Sequence, residues 1–168
     1  MAARRHTRKV AIRRAGTGAA AVAVLWMLVA ALPLGASTTE YIVVDRNTGL
    51  AIHGYDPVAY FTDSAPMLGK GEFEHRHAGV VWRFRNPGNL AAFVADPEVY
   101  MPRFGGYDPV GLGRHVPIAG DPRIWMIEDA RLYLFQSPEN KAIFAVHGGQ
   151  ATAAADEAWP AVQKMLVP

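Results

Sequence analysis

Gly54-Tyr55-Asp56-Pro57-Val58 returns letter for letter as Gly106-Tyr107-Asp108-Pro109-Val110, 52 positions later. After one small deletion the match continues at an offset of 51, with Pro66 and Gly69 against Pro117 and Gly120. Phe84, Pro87, Asn89, Ala91 and Phe93 then fall against Phe135, Pro138, Asn140, Ala142 and Phe144. Trp82 with Tyr133, Val81 with Leu132 and Asn86 with Ser137 are conservative swaps in the same frame. An identical pentapeptide followed by collinear identities reads as two copies of one supersecondary unit, over residues 50 to about 150. Two copies are too few for a solenoid, so each is expected to cover the other's apolar face within one compact domain.

Each copy reads as turn, β-hairpin and helix. Asp56 caps a short helix with Pro57 at its first position, and Asp108-Pro109 repeats the device. Glu72–His77 and Val80–Phe84 alternate around Ala78-Gly79, and Trp125–Glu128 and Arg131–Phe135 around Asp129-Ala130. Asn86-Pro87 opens a helix stopped at Asp96-Pro97; Ser137-Pro138 opens another through Val146, with Gly148-Gly149 as its stop. Tyr41–Val44 and Leu50–His53 read as short strands. The tail, Thr152–Leu166, reads as an Ala-rich helix interrupted at Pro160, with Ala154, Ala158, Trp159, Val162 and Leu166 on one face. The expected class is α+β: two tandem turn–hairpin–helix units plus a C-terminal helix, behind an N-terminal signal or transmembrane helix. The division is 1–37 signal peptide or anchor, 38–49 tether and lead-in strand, and 50–168 domain.

Charge is unevenly spread. Six of the 17 Lys and Arg lie before position 15, leaving 11 against 15 Asp and Glu beyond it, a net of −4. The basic pI therefore reflects the N-terminal arm, and a nucleic-acid partner is not expected. The arm leads into an uncharged run, Ala15–Thr39, rich in Ala, Val and Leu. Basic residues, an apolar stretch and small residues near Ala36 make the pattern of a secretion signal. The run is also long enough to span a bilayer, with the positive arm kept inside. Both outcomes place the domain outside the cytoplasm, in the periplasm: soluble after cleavage, or held on the inner membrane by residues 15–37. A protein partner would then be met outside the cytoplasm. There is no cysteine, which removes disulfides, thiolate metal sites and thiol nucleophiles.

Leu50-Ala51-Ile52-His53-Gly54-Tyr55-Asp56-Pro57-Val58-Ala59-Tyr60-Phe61 resembles the opening of the exported YHS-domain proteins of bacteria. Trp82-Arg83-Phe84, Asn86-Pro87, Asp96-Pro97, Gly105-Gly106-Tyr107, Gly120-Asp121-Pro122, Leu132-Tyr133-Leu134 and Trp159-Pro160 extend the likeness over about Leu50 to Pro160. The resemblance implies a small α+β domain behind a signal. Members are described as candidate metal-binding domains without assigned activity, and relatives are attached to copper-transporting ATPases and phenol hydroxylases. Many members carry Cys after Gly-Gly-Tyr, where this chain has Asp108. A soft thiolate has become a hard carboxylate, so a sulfur-based copper or zinc role does not carry over.

His53, Tyr55, Asp56, Tyr107, Asp108 and His115 are the candidate ligand-binding residues, clustered in sequence at the two repeated turns. Asp56 and Asp108 also read as helix caps with the Tyr rings packed beneath them. His75 and His77 share a strand face with Phe73, a geometry that admits two imidazoles on one metal. The second copy holds Met126, Glu128 and Gly105 where the first holds His75, His77 and His53, so no ligand set is repeated. Any metal site is expected to be weak and hard, built from Asp108 with His115 or His53. No cofactor is identified. Nucleophile-elbow, zinc-protease and phosphate-loop motifs are absent. The expected role is a non-enzymatic exported module that binds a small ligand, a metal or a protein. The competing reading is a small enzyme using Asp56, Asp108 and a nearby His as acid and base.

Overall fold

The computed structural model describes residues 41–166, and the expected signal or anchor lies outside them. Among the described residues no helix is long and apolar enough to cross a membrane. The fold is α+β, with two small antiparallel hairpins and a C-terminal helix. Its elements are α1 (Ala59–Thr62), β1 (Lys70–His77), β2 (Val80–Phe84), α2 (Pro87–Ala95), α3 (Pro97–Tyr100), α4 (Pro109–Leu112), β3 (Asp121–Glu128), β4 (Arg131–Phe135) and α5 (Pro138–Leu166). Single 3-10 turns at Ile52–Gly54 and Arg103–Gly106 precede α1 and α4.

The hairpins share one register. Lys70 faces Phe84, and after a bulge Glu74 faces Arg83; Asp121 faces Phe135, and after a bulge Trp125 faces Leu134. Ala78-Gly79 and Asp129-Ala130 both have positive φ at their two central residues, the primed turn whose twist matches the strands it joins. Pro122 sits in the second bulge, where its missing N–H costs no ladder bond. Asn86 caps α2 by accepting from the Asn89 amide, and Pro87 occupies the first turn.

Packing also matches between halves. Phe93 of α2 lies on Trp82 and Phe84 of β2, with ring centroids 5.2 and 5.1 Å apart. Phe144 of α5 lies on Tyr133 and Phe135 of β4, at 4.7 and 5.2 Å. All six rings are buried, and each such side chain contributes about 1.5–3 kcal/mol. β4 separates two apolar clusters: Leu132 and Leu134 join the first half's core, Tyr133 and Phe135 the second's. The halves are tied across by Tyr60, whose hydroxyl donates to the Pro122 carbonyl at 2.8 Å and whose ring meets Trp125 edge-on.

Several expectations about local structure are corrected. The segment after Tyr41 is part of the domain: Ile42 and Val43 are buried, the Val43 amide donates to Gly105 O, and the Ile52 amide to Val43 O. Only isolated bridges form there, Val44 with Ala51 and Leu50 with Val81, so neither Tyr41–Val44 nor Leu50–His53 is a strand. The second helix runs to Val146 as expected, but the break is at His147 (φ −126°, ψ 24°), and Gly148-Gly149 already belong to the helix that follows. A Cβ at Gly148 would lie 2.6 Å from a Glu128 carboxylate oxygen, the far end of a side chain that can swing aside. Pro160 does not interrupt the tail; it is exposed, where the loss of one backbone bond is cheapest. The buried stripe of that tail is Ala155, Ala158 and Val162, and Ala154 is exposed.

Candidate functional site

Asp56 and Asp108 are fully buried. One oxygen of Asp56 accepts from the amides of Val58 and Ala59, at 2.9 and 3.3 Å. The other accepts from the Arg85 amide and the Asn89 side-chain amide, at 2.8 and 2.7 Å. Asp108 repeats the arrangement with Val110, Gly111, Gln136 and Asn140, at 2.8, 3.4, 2.8 and 2.7 Å. A carboxylate offers about four acceptor positions, and here all are used. Asp108 caps α4, whereas Asp56 holds the turn that leads into α1, whose N-cap is Val58; each aspartate latches its segment to the end of the following hairpin and the start of the next helix. The two share no partner, and neither bonds an imidazole. In this geometry Asp56 and Asp108 are structural latches: both are buried and their acceptor positions are taken by N–H groups of the protein.

The other candidates disperse. Tyr107 is buried against Trp159, with centroids 5.9 Å apart. His115 is exposed on the turn after α4, with its amide bonded to Leu112 O. It does not reach Asp108, whose acceptors are filled by N–H groups, so the expected Asp108–His115 pairing is not formed. The imidazoles of His75 and His77 stack at 6.5 Å and rest on the Phe93 ring, which is an aromatic packing arrangement. Among the described residues no three His, Cys, Asp or Glu side chains are placed to hold one metal ion.

His53 and Tyr55 do come together, on one wall of a cleft of about 370 Å³. The opposite wall belongs to the bulge of β3 and the end of β4: Gly120, Asp121, Pro122, Arg123 and Gln136. Bulges of this kind re-aim side chains, and here the bulge turns Asp121 and Arg123 toward the first half. Arg123 grips Asp121 in a fork, Nε to Oδ1 at 3.0 Å and an Nη to Oδ2 at 2.6 Å. That grip holds the Asp121 carboxyl below the usual carboxylate range. His53 Nδ1 lies 3.3 Å from Asp45 Oδ2. The Asp45 carboxyl is also held low, first by the Thr48 amide, then by the Thr48 hydroxyl and the Asn47 amide. The Tyr55 hydroxyl, the Gln136 side-chain amide and His53 Nε2 form no hydrogen bond among the described residues.

The backbone at His53 is costly. Ile52, His53 and Gly54 have φ of 40°, 56° and 78°, three consecutive residues in left-handed territory. The counterparts Phe104, Gly105 and Gly106 do the same, at 56°, 65° and 92°. At the position of His53 the second half uses glycine, which adopts this conformation without steric cost. Gly105 is covered by the lead-in segment, and a Cβ there would lie 1.8 Å from Tyr41 O. His53 is open, with 44% of its side chain exposed. His53 adopts a conformation that is easier for glycine, as do seven other non-glycine residues among those described, and its exposed imidazole is what sets it apart from Gly105.

Two other clefts, of about 380 Å³ each, are similar in size but not in chemistry. In one, Arg103 is already paired with Asp156 at 2.6 Å and lies over the Phe104 ring. The other is lined mainly by aliphatic side chains and holds Tyr107. Asp121, Arg123, Gln136 and Asp45 were not candidates in the sequence. They become visible only by asking where the halves differ: Asp121 stands against Lys70, Arg123 against Glu72 and Gln136 against Arg85. Comparison with protein-family models, with curated proteins and with solved structures found no match to this chain.

Proposed function

We propose that this protein is an exported, YHS-like, non-enzymatic module that binds a small ligand in the cleft between His53–Tyr55 and the β3 bulge. The observation that carries the reading is the convergence of five polar side chains from two separate parts of the chain on one concavity, with the strained His53 at its edge. Concavities with a few converging polar groups are where small molecules bind. The enzyme reading loses its support because its two carboxylates are buried latches. The module is built from two copies of one turn–hairpin–helix unit. The common hairpin register, the paired Asp–Asn latches and the paired aromatic triads support this. The copies have diverged at the cleft, open at His53 and covered at Gly105. Export rests on the basic arm and apolar run, and the YHS likeness on the residues quoted above.

The test is a small-molecule library screened against the purified protein by amide chemical shifts. Binders are expected to move the Tyr55, Gly120, Arg123 and Gln136 signals. Shifts gathered instead around Phe104 and Trp159, or no binder from a broad library, would overturn the reading.

A further inference from the structure

Resting on that reading, we propose that the cleft takes an uncharged polyhydroxylated ligand of monosaccharide or cyclitol size. Three observations converge on that class.

The first is charge. Arg123 and Asp121 neutralise each other in a fork, and His53 faces Asp45. An anion at the remaining Arg123 donors would sit beside the Asp121 carboxylate, and a cation at the free Asp121 lone pair beside the Arg123 guanidinium. A neutral ligand meets neither repulsion.

The second is the mixture of free donors and acceptors. Arg123 uses two of its five N–H groups on Asp121, leaving outward donors. Asp121 Oδ2 accepts from Arg123 alone and keeps a free lone pair. Gln136 offers an amide N–H and a carbonyl oxygen, Tyr55 a hydroxyl, and His53 its Nε2. A hydroxyl both donates and accepts, so adjacent hydroxyls can bond the two members of a charge pair at once. Few other small neutral groups match so mixed a surface.

The third is shape. The volume is at the low end for ligand sites. Tyr55 contributes an aromatic ring, whose electron-rich face suits the C–H side of a saturated ring. With few contacts and an open mouth, the dissociation constant is expected to be about millimolar.

The experiment titrates the purified full-length protein with D-glucose, D-galactose and myo-inositol, and in parallel with sodium phosphate, sodium glutamate and zinc chloride, following amide shifts. At least one polyol is expected to saturate the Gly120, Arg123 and Gln136 signals. Tyr55→Ala is expected to weaken that polyol at least tenfold and Tyr55→Phe to restore part of the loss, a pattern that a merely unfolded variant would not give. Saturation of the same signals by an anion or a cation but by no polyol overturns the ligand class and leaves the cleft reading standing. No response at the cleft to this panel or to the broader library overturns both.

Discussion

Replacing Asp56 by alanine removes the acceptor of four N–H groups at once. Three of those bonds, from Val58, Ala59 and Asn89, are buried, and the fourth, from Arg85, is partly so. A buried donor left without a partner costs about 1–3 kcal/mol. Water entering the vacated space lowers that figure, so about 1 kcal/mol per donor is a working value, or about 4 kcal/mol in all. Domains of this size have about 5–15 kcal/mol in total, so the loss is a large fraction. With a urea m-value of about 2 kcal/mol/M, the midpoint should fall by about 2 M, read by tryptophan fluorescence at neutral pH. Asp56→Asn should be intermediate, because its oxygen can still serve Val58 and Ala59 while its NH2 meets the Arg85 and Asn89 donors. Adding Asn89→Asp turns that donor clash into a donor–acceptor pair and should recover about 1 kcal/mol. A loss below about 1 kcal/mol for Asp56→Ala, or no recovery in the double variant, would show that the carboxylate is not the latch described.

Burial pushes the Tyr60 hydroxyl up from its ordinary 10. Its folded value is raised, so its contribution to stability is complete below pH 10 and declines as pH rises past 10 toward the folded value. Tyr60→Phe should cost about 1–2 kcal/mol at neutral pH through the orphaned Pro122 carbonyl. It should also lessen the fall in urea midpoint between pH 9 and pH 11; an equally steep fall in the variant contradicts this. Isothermal titration with copper(II) and zinc(II) should show no stoichiometric binding tighter than about micromolar, and a tighter site lost in Asp108→Ala or His53→Ala would contradict that. Protease added to spheroplasts should digest the domain. Full protection behind an intact inner membrane argues against export.

Backbone organisation was legible because it is local and repeated. Asn86-Pro87 before an apolar helix, two-residue turns between alternating strands and Asp-Pro at short helices are written in neighbouring residues. The repeat made each assignment twice. The latch was half legible: the Asp caps follow from spacing, but Asn89 and Asn140 reach them across about 33 and 32 residues, which no local pattern reveals. The candidate site was legible only in part: His53 and Tyr55 line the cleft, whereas Asp56 and Asp108 are buried under their own hydrogen bonds. Residues identical in both halves, Tyr-Asp-Pro above all, drew notice as chemistry, yet identity there reflects a shared structural task. The cleft combines Tyr55, which both halves share, with His53, Asp121, Arg123 and Gln136, positions where the halves differ. Which divergent residues meet is decided by the bulge in β3 and by the lead-in segment covering Gly105, both tertiary events. The helix end at Val146 was legible, and only the break point differs, at His147 instead of at Gly148-Gly149.

The claim that the cleft is a ligand site, paid for by strain at His53, is tested most directly by His53→Gly. Glycine relieves the left-handed conformation but loses the exposed pair with Asp45 and loosens the unfolded chain. These effects nearly cancel, so stability should stay within about 1 kcal/mol of the native protein. The measurement is the affinity of this variant for whichever of D-glucose, D-galactose or myo-inositol binds the native protein, at a temperature where both are folded. The account predicts at least a tenfold loss with the fold intact. Unchanged affinity in a folded His53→Gly protein would contradict it.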